Sequence, residues 1–266
     1  MHLKKEIENI QSFAPNPKEL ILTIYLDTRP DSSQKSAWQI RLKNGLKKLM
    51  EYAEAEGNSD RISQLRKLQQ EVLKEMEGQR HSVKNGWIVI ASPSKQAWFN
   101  QQVQVPVPNA FYWEQEPHLD ELTQTIQTYP AAGAVLLGKE KVTVLDTFLG
   151  LVQQEWNFEW NPDLEDWGEM KGLAHSNRVA SGSNHIDNFE KRYEHNQQRW
   201  LNRLSSVLSR LSKRYQWKEL IMSGEKNLTR ETAKAIKTPV PRVLSKNYNG
   251  KPAQKLLQEV YTAIQS

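Results

Sequence analysis

Arg192, His195, Arg199, Arg203, Arg210 and Arg214 recur at three-, four- and seven-residue intervals through a stretch, Ile186 to Tyr215, that holds neither Gly nor Pro. On a helix turning roughly 100° per residue, these six positions share an arc of about 100°. Tyr193, Trp200, Leu204, Val207, Leu208 and Leu211 fill a different arc that reads as core, so the basic arc faces solvent. A guanidinium is permanently charged and presents a planar fork of donors that matches phosphate oxygens. The chemistry open to this row is therefore the holding of a polyanion through its phosphates. The ordinary alternative is a solvated charged face. Surface helices usually intersperse both signs, however, and here few acids interrupt the row. Asp187, Glu190 and Glu194 stand near one end of the helix and Arg210, Lys213 and Arg214 near the other, the order that the helix dipole favours.

Other reactive groupings carry less. Ser183, His185 and Asp187 have the residue types of a nucleophile, base and orienter, but alternating neighbours on a loop are not held in that chain of contacts. His175, His185 and His195 are spaced by ten, not by the i, i+4 of a helical zinc pair, and the chain has no Cys to assist. Metal-assisted phosphodiester hydrolysis needs several converging carboxylates. The stretch Ala134 to Leu137 offers none, and Asp146 is a lone strand carboxylate, expected to end its strand or meet a cation. No glycine pattern of a nucleotide-binding loop occurs. No cofactor and no metal are expected.

The 266 residues suffice for two domains. The net charge is +5 and the isoelectric point about 9.2, which admits nucleic acid as partner. Residues 1 to 130 balance 16 basic against 16 acidic side chains, whereas residues 171 to 266 carry 18 Lys and Arg against 7 Asp and Glu. Absence of Cys fits a reducing compartment and excludes disulfides and thiol chemistry. Neither a secretory leader nor a run of 18 apolar residues is present, so the expectation is a cytoplasmic protein with no membrane partner.

The elements that must position the basic row follow from punctuation and periodicity. Leu20 to Leu26 reads as a buried strand, Trp38 to Ala53 and Ile62 to Met76 as a helical hairpin broken at 56–60, and Trp87 to Ala91 as a strand opened by Asn85-Gly86. Further strands are expected near 97–105 and 110–114, then a short helix from Pro117 to about Thr128. The domain boundary falls at Tyr129-Pro130, giving units 1–130 and 131–266. In the second, Gly138 to Lys141 and Gly150 separate three short strands of an antiparallel meander. Residues 142–170 hold seven acids, no Lys or Arg, and Trp156, Trp160 and Trp167, and are expected as a solvated acidic loop. The stretch 171–184 is small, polar and Gly-containing, the composition of a mobile loop. After the basic helix come a strand at 218–224, a helix from Leu228 to Lys237, a strand at 241–245 and a closing helix from Pro252. The fold class is α/β.

In that order, AVLLGKEKVTVLD, the loop ending SGSN, the helix FEKRYEHNQQRWLNRL and the strand LIMSGEKN resemble the middle domain of archaeal and eukaryotic class-one release factors and of Pelota. ILTIYLDT, the helical hairpin, GWIVIAS and VPVPN extend the resemblance over the N-terminal half, to the bacterial release-factor-like relatives. The resemblance implies an N-terminal α/β domain with a helical hairpin, followed by an RNase H-like domain. It also implies that Gly182, Ser183 and Asn184 stand where release factors carry Gly-Gly-Gln. In that motif the glycines adopt backbone conformations closed to other residues and the Gln holds a water at the peptidyl ester. Ser183 gives up one such freedom, and Asn184 is shorter than Gln by a methylene, about 1.5 Å. The chain also stops after the closing helix, where larger relatives continue into a further domain.

The reading is a ribosome-associated translation factor acting near the tRNA acceptor end and the peptidyl-transferase centre, in ribosome rescue or hibernation. Arg178, Lys191, Arg192, His195, Arg199 and Arg203 are expected to contact rRNA or tRNA, with Gly182, Ser183 and Asn184 as the degenerate catalytic loop. A peptidyl-tRNA hydrolase and a non-ribosomal RNA-binding or adaptor protein remain the alternatives.

Overall fold

The computed structural model describes residues 2–30, 37–79, 83–161, 166–169, 184–236, 239–240 and 242–244, together with Leu257, Glu259 and Tyr261; for 184–198 it describes the backbone path alone. The chain divides into two compact units, Met1–Tyr129 with Leu149–Leu151, and Pro130–Phe148 with Val152–Ser266.

Unit one contains α1 (His2–Gln11), β1 (Ile21–Asp27), α2 (Ala37–Glu56), α3 (Ser59–Gly78), β2 (Gly86–Ala91), β3 (Trp98–Val103), β4 (Ala110–Glu114) and α4 (Asp120–Thr128). Its sheet runs β3-β2-β1-β4, every pair antiparallel. The β1 sequence ILTIYLD is apolar on both faces because both are covered. Leu22, Ile24 and Leu26 pack with Trp87 and Val89 of β2 under the α2–α3 hairpin, whose Trp38, Leu42, Leu46, Leu65, Leu68 and Val72 point inward. Asn58 starts α3 by accepting the Arg61 backbone N–H at 3.1 Å. Helix α1 was not expected from the polar N-terminus. Leu3, Ile7 and Ile10 supply its buried stripe at helical spacing.

Unit two contains β5 (Ala132–Leu137), β6 (Lys141–Phe148), β7 (Leu151–Asn161), β8 (Asp166–Glu169), α5 (Asn184–Tyr215), β9 (Glu219–Gly224), α6 (Lys226–Ala235) and β10 (Arg242–Leu244). The strand order is β10-β9-β5-β6-β7-β8, with β5–β6 antiparallel and β9 parallel to both β5 and β10. An antiparallel meander followed by parallel strands reached through helices is the RNase H-like arrangement that the resemblance implies. Leu149 and Gly150, with φ of 50° and 73°, form the two-residue turn between β6 and β7. Positive φ at both positions gives the turn a twist that suits a hairpin.

The acidic stretch departs from expectation. It is a strand rather than a solvated loop as far as Asn161, and β8 pairs with it antiparallel, Trp160 opposite Trp167 and Phe158 opposite Glu169. Trp156, Phe158 and Trp160 are buried while Glu155, Asn157 and Glu159 are exposed. That alternation has the period of a half-covered strand. The acids lie on its outer face, where Glu159 meets Lys141 at 3.8 Å. Residues 162–165 and 170 lie outside the described part.

Candidate nucleic-acid interface

The sequence of α5 dictates which way it faces. Trp200, Leu201, Leu204, Val207, Leu208 and Leu211 are buried against Val135, Leu137, Val142, Val144, Trp156, Phe158 and Trp160 of the sheet. Burying a row of this kind supplies most of the helix's stability, since each large apolar side chain is worth about 1.5–3 kcal/mol. Hydrogen bonds fix its roll about its own axis. Trp200 Nε1 donates to the Lys139 carbonyl in the β5–β6 turn at 2.9 Å, Ser205 Oγ to the Ala235 carbonyl at 3.0 Å, and Tyr215 Oη to Gln154 Oε1 at 3.0 Å.

With the seam held inward, Arg199, Arg203, Arg210 and Arg214 come out exposed along a flank of the helix beside it, and Lys213 is exposed as well. Arg199 and Arg203 are one turn apart, and Arg199 to Arg214 spans about 22 Å at 1.5 Å per residue. Arg214 lies 5.5 Å from the centre of the Tyr215 ring. Lys191, Arg192 and His195 belong to the same unbroken helix, Arg192 two turns before Arg199 in register. Their side chains lie outside the described part. Asn184 is the first residue of α5, whereas Arg178, Gly182, Ser183 and the rest of the stretch expected as a mobile loop are outside the described residues, as is most of the closing helix.

The carboxylate that a nuclease reading would use is committed elsewhere. Asp146 neither ends its strand nor meets the expected cation: it sits within β6, 2 % exposed, and its Oδ1 accepts the Trp217 indole N–H at 2.7 Å. Val142, Val144 and Asp146 alternate onto the face that α5 covers. The Trp217 ring lies over Gly133, the cross-strand partner of Asp146, where a Cβ would stand 2.5 Å from ring carbon Cε3. Among the described residues, His, Asp and Glu form no group of three or more able to hold a metal ion.

A titratable cluster that sequence reasoning did not assemble lies in unit one. Tyr112 Oη donates to Glu121 Oε1, His118 Nδ1 lies 2.8 Å from Glu121 Oε2, and the Tyr112 and His118 rings stack with centroids 3.8 Å apart. Burial opposes ionisation of Glu121, but the hydrogen bonds from Tyr112 and His118 outweigh it and hold the carboxyl below its ordinary value. The Tyr112 phenol, hydrogen-bonded to that carboxylate, is pushed up to about 12. Burial raises the Tyr25 phenol, which donates to the His118 carbonyl at 2.7 Å. Such a network fastens the start of α4 to the edge strand β4. The i, i+3 spacing of His118 and Glu121 was the signal available for it.

No described helix is long and apolar enough to cross a membrane. Over 264 residues the chain is 24 % identical to "Uncharacterized protein YocB" of Bacillus subtilis (strain 168), covering 98 % of both chains. Among solved structures, the crystal structure of archaeal translation termination factor aRF1 aligns at a TM-score of 0.34 and 11 % identity, over 99 % of this chain and 73 % of that one. An archaeal protein aligns at 0.34 and 14 %, over 98 % and 72 %. The family model described as bacterial archaeo-eukaryotic release factor family 5 matches residues 130–262, the segment that holds the meander, α5 and the parallel strands. The chain belongs to bacterial archaeo-eukaryotic release factor family 5, and its role is accordingly translation-related.

Proposed function

We propose that the protein associates with the ribosome and occupies the neighbourhood of the tRNA acceptor end at the peptidyl-transferase centre, in rescue or hibernation. The observation that carries this reading is the exposed row Arg199, Arg203, Arg210 and Arg214 on a helix whose other face is sealed against the sheet. A rigid row of guanidinium groups suits the regularly spaced phosphates of rRNA or tRNA. Arg178, Lys191, Arg192 and His195 extend the same contact toward the amino-terminal end of α5. Gly182 and Ser183, which precede α5 in sequence, and Asn184, its first residue, are the segment brought to the acceptor end. With Ser in place of the second Gly and Asn one methylene short of Gln, the segment occupies or senses the site and does not hydrolyse the ester.

The test is co-sedimentation with ribosomes across a salt series. Wild-type binding should fall steeply as salt rises from about 50 to 200 mM, the mark of several phosphate contacts. Changing Arg192, Arg199 and Arg203 together to Glu should abolish it while the unfolding midpoint stays put, because Arg199 and Arg203 lie off the buried seam. Unaltered co-sedimentation of that variant overturns the assignment. Peptide released from stalled peptidyl-tRNA by the wild type, and lost on Asn184→Ala, would make the protein a hydrolase instead.

A further inference from the structure

Unit one is electrically neutral as a whole, yet its charges are segregated. Between Arg29 and Met50 the chain carries six cations, Arg29, Lys35, Arg41, Lys43, Lys47 and Lys48, against a single acid, Asp31. Four of these cations fall in the first twelve residues of α2, and the acids of that helix, Glu51, Glu54 and Glu56, fall after them. Glu54 and Glu56 stand in the last turn, where the helix dipole disfavours them, whereas the cations lie inside the helix, beyond the reach of its amino-terminal end.

The outward face is well defined, because Trp38, Leu42, Leu46, Leu49 and Ala53 are buried against the sheet. Lys43, Lys47 and Lys48 are exposed on the other side. Lys47 is paired with Glu51 only at 3.5 Å between two well-solvated groups, a contact worth little. Lys43 makes no ion pair among the described residues. The outward half of the helix also displays Ile40 and Tyr52, 53 % and 57 % exposed, two of the three large hydrophobics that the described residues leave in solvent. The Lys48 ammonium lies 5.6 Å from the centre of the Tyr52 ring.

Lys43, Lys47 and Lys48 spread over the outward half of a rigid helix, with Tyr52 beside Lys48 and Glu51 the one acid among them, can meet successive phosphates and an unstacked base. We infer that the outward face of α2, through Lys43, Lys47, Lys48 and Tyr52, is a second RNA-binding surface, separate from α5 and taking single-stranded RNA by its backbone. The lysines engage phosphates as point charges and Tyr52 offers a face to a base.

The test uses the full chain and a fluorescein-labelled unstructured RNA oligonucleotide, titrated by anisotropy over a salt series. Neutralising three phosphate contacts in Lys43→Gln, Lys47→Gln, Lys48→Gln should flatten the slope of log K against log salt by about 2. It should weaken binding roughly 50-fold at 0.15 M salt, at about 0.7 counterions released per contact to a single strand. Tyr52→Leu should leave the slope intact and weaken binding about fivefold or more, as loss of one stacked base does. The arginine-to-glutamate variant of α5 serves as the comparison. Should it lose the oligonucleotide while the triple Gln variant retains wild-type affinity and slope, the inference about α2 fails and the reading of α5 stands. Retained RNA binding in the triple Gln variant with lost binding to labelled polyglutamate would assign the face to an acidic protein and likewise overturn the inference.

Discussion

Removing the carboxylate of Asp146 separates a structural role from a chemical one, because its partner is known. The Asp146–Trp217 hydrogen bond is 2.7 Å long and joins side chains 2 % and 5 % exposed, so neither can turn to water when the other is removed. Asp146→Asn keeps an oxygen acceptor at the same place and exchanges a charge-assisted bond for a neutral one, a loss of about 1 kcal/mol. Asp146→Ala strands the indole N–H and leaves a small void, about 2–3 kcal/mol. Trp217→Phe strands a buried carboxylate, which costs at least as much. Thermal unfolding of unit two should therefore rank Asn above Ala and Ala above or level with Phe at 217. A loss of about 2 kcal/mol corresponds to some 6 °C in a domain of this size. The double variant Asp146→Ala, Trp217→Phe should fall short of the sum of the singles by about 1 kcal/mol or more, since the second change removes a group the first has already orphaned. Strict additivity would refute the pairing. Full stability of Asp146→Asn with loss of a nucleolytic activity would refute the structural role and return the residue to catalysis.

Gly133→Ala places a methyl 2.5 Å from the Trp217 ring and 2.7 Å from Leu220 Cδ2. The ring cannot swing aside without breaking its bond to Asp146, so the cost should reach the upper part of the usual overpacking range of about 1–3 kcal/mol, read by urea unfolding, and should shrink in an Asp146→Ala background. The Glu121 carboxyl, held below its ordinary 4.5, stabilises unit one in its ionised form. That contribution is full above the unfolded-state value and is lost as pH falls through the folded one, so the midpoint should drop on acidification below about pH 4.5. Glu121→Gln should remove this acid-limb dependence, and an unchanged acid limb would exclude Glu121 as its source.

The basic helix was legible in the sequence because one uninterrupted stretch carries both of its faces, and 3.6-residue periodicity needs only local information. The same holds for the hairpin of α2 and α3 and for β1 and β2, whose apolar runs are bounded by turn residues. In β7 the run of acids outweighed a plain alternation of Trp156, Phe158 and Trp160, although the period of two was present. Composition pointed to solvent and period pointed to a strand; the buried indoles show which governs when three large rings share one face. Helix α1 was hidden by its charges for the same reason, with Leu3, Ile7 and Ile10 the weaker signal. The partner of Asp146 was not legible at all. It lies 71 residues away and is brought within reach only by the parallel pairing of β5 with β9.

That pairing also bears on the basic face. With β9 laid alongside β5, Ala134 opposite Ile221, the chain leaving α5 must return under the helix, and Trp217 in that return is locked to Asp146 below. The far end of the described seam is locked by Trp200 to the Lys139 carbonyl. Two indole N–H bonds, seventeen residues apart at either end of the same buried row, thus resist rotation of α5. A roll of about 100°, one residue's worth, would in one direction turn the arginines onto the sheet and in the other lift Trp200 off it, at about 1.5–3 kcal/mol for each large apolar side chain exposed. The arginine row is consequently preorganised: its side chains move on flexible stems, but the line along which their charges stand is fixed by the core before any phosphate arrives.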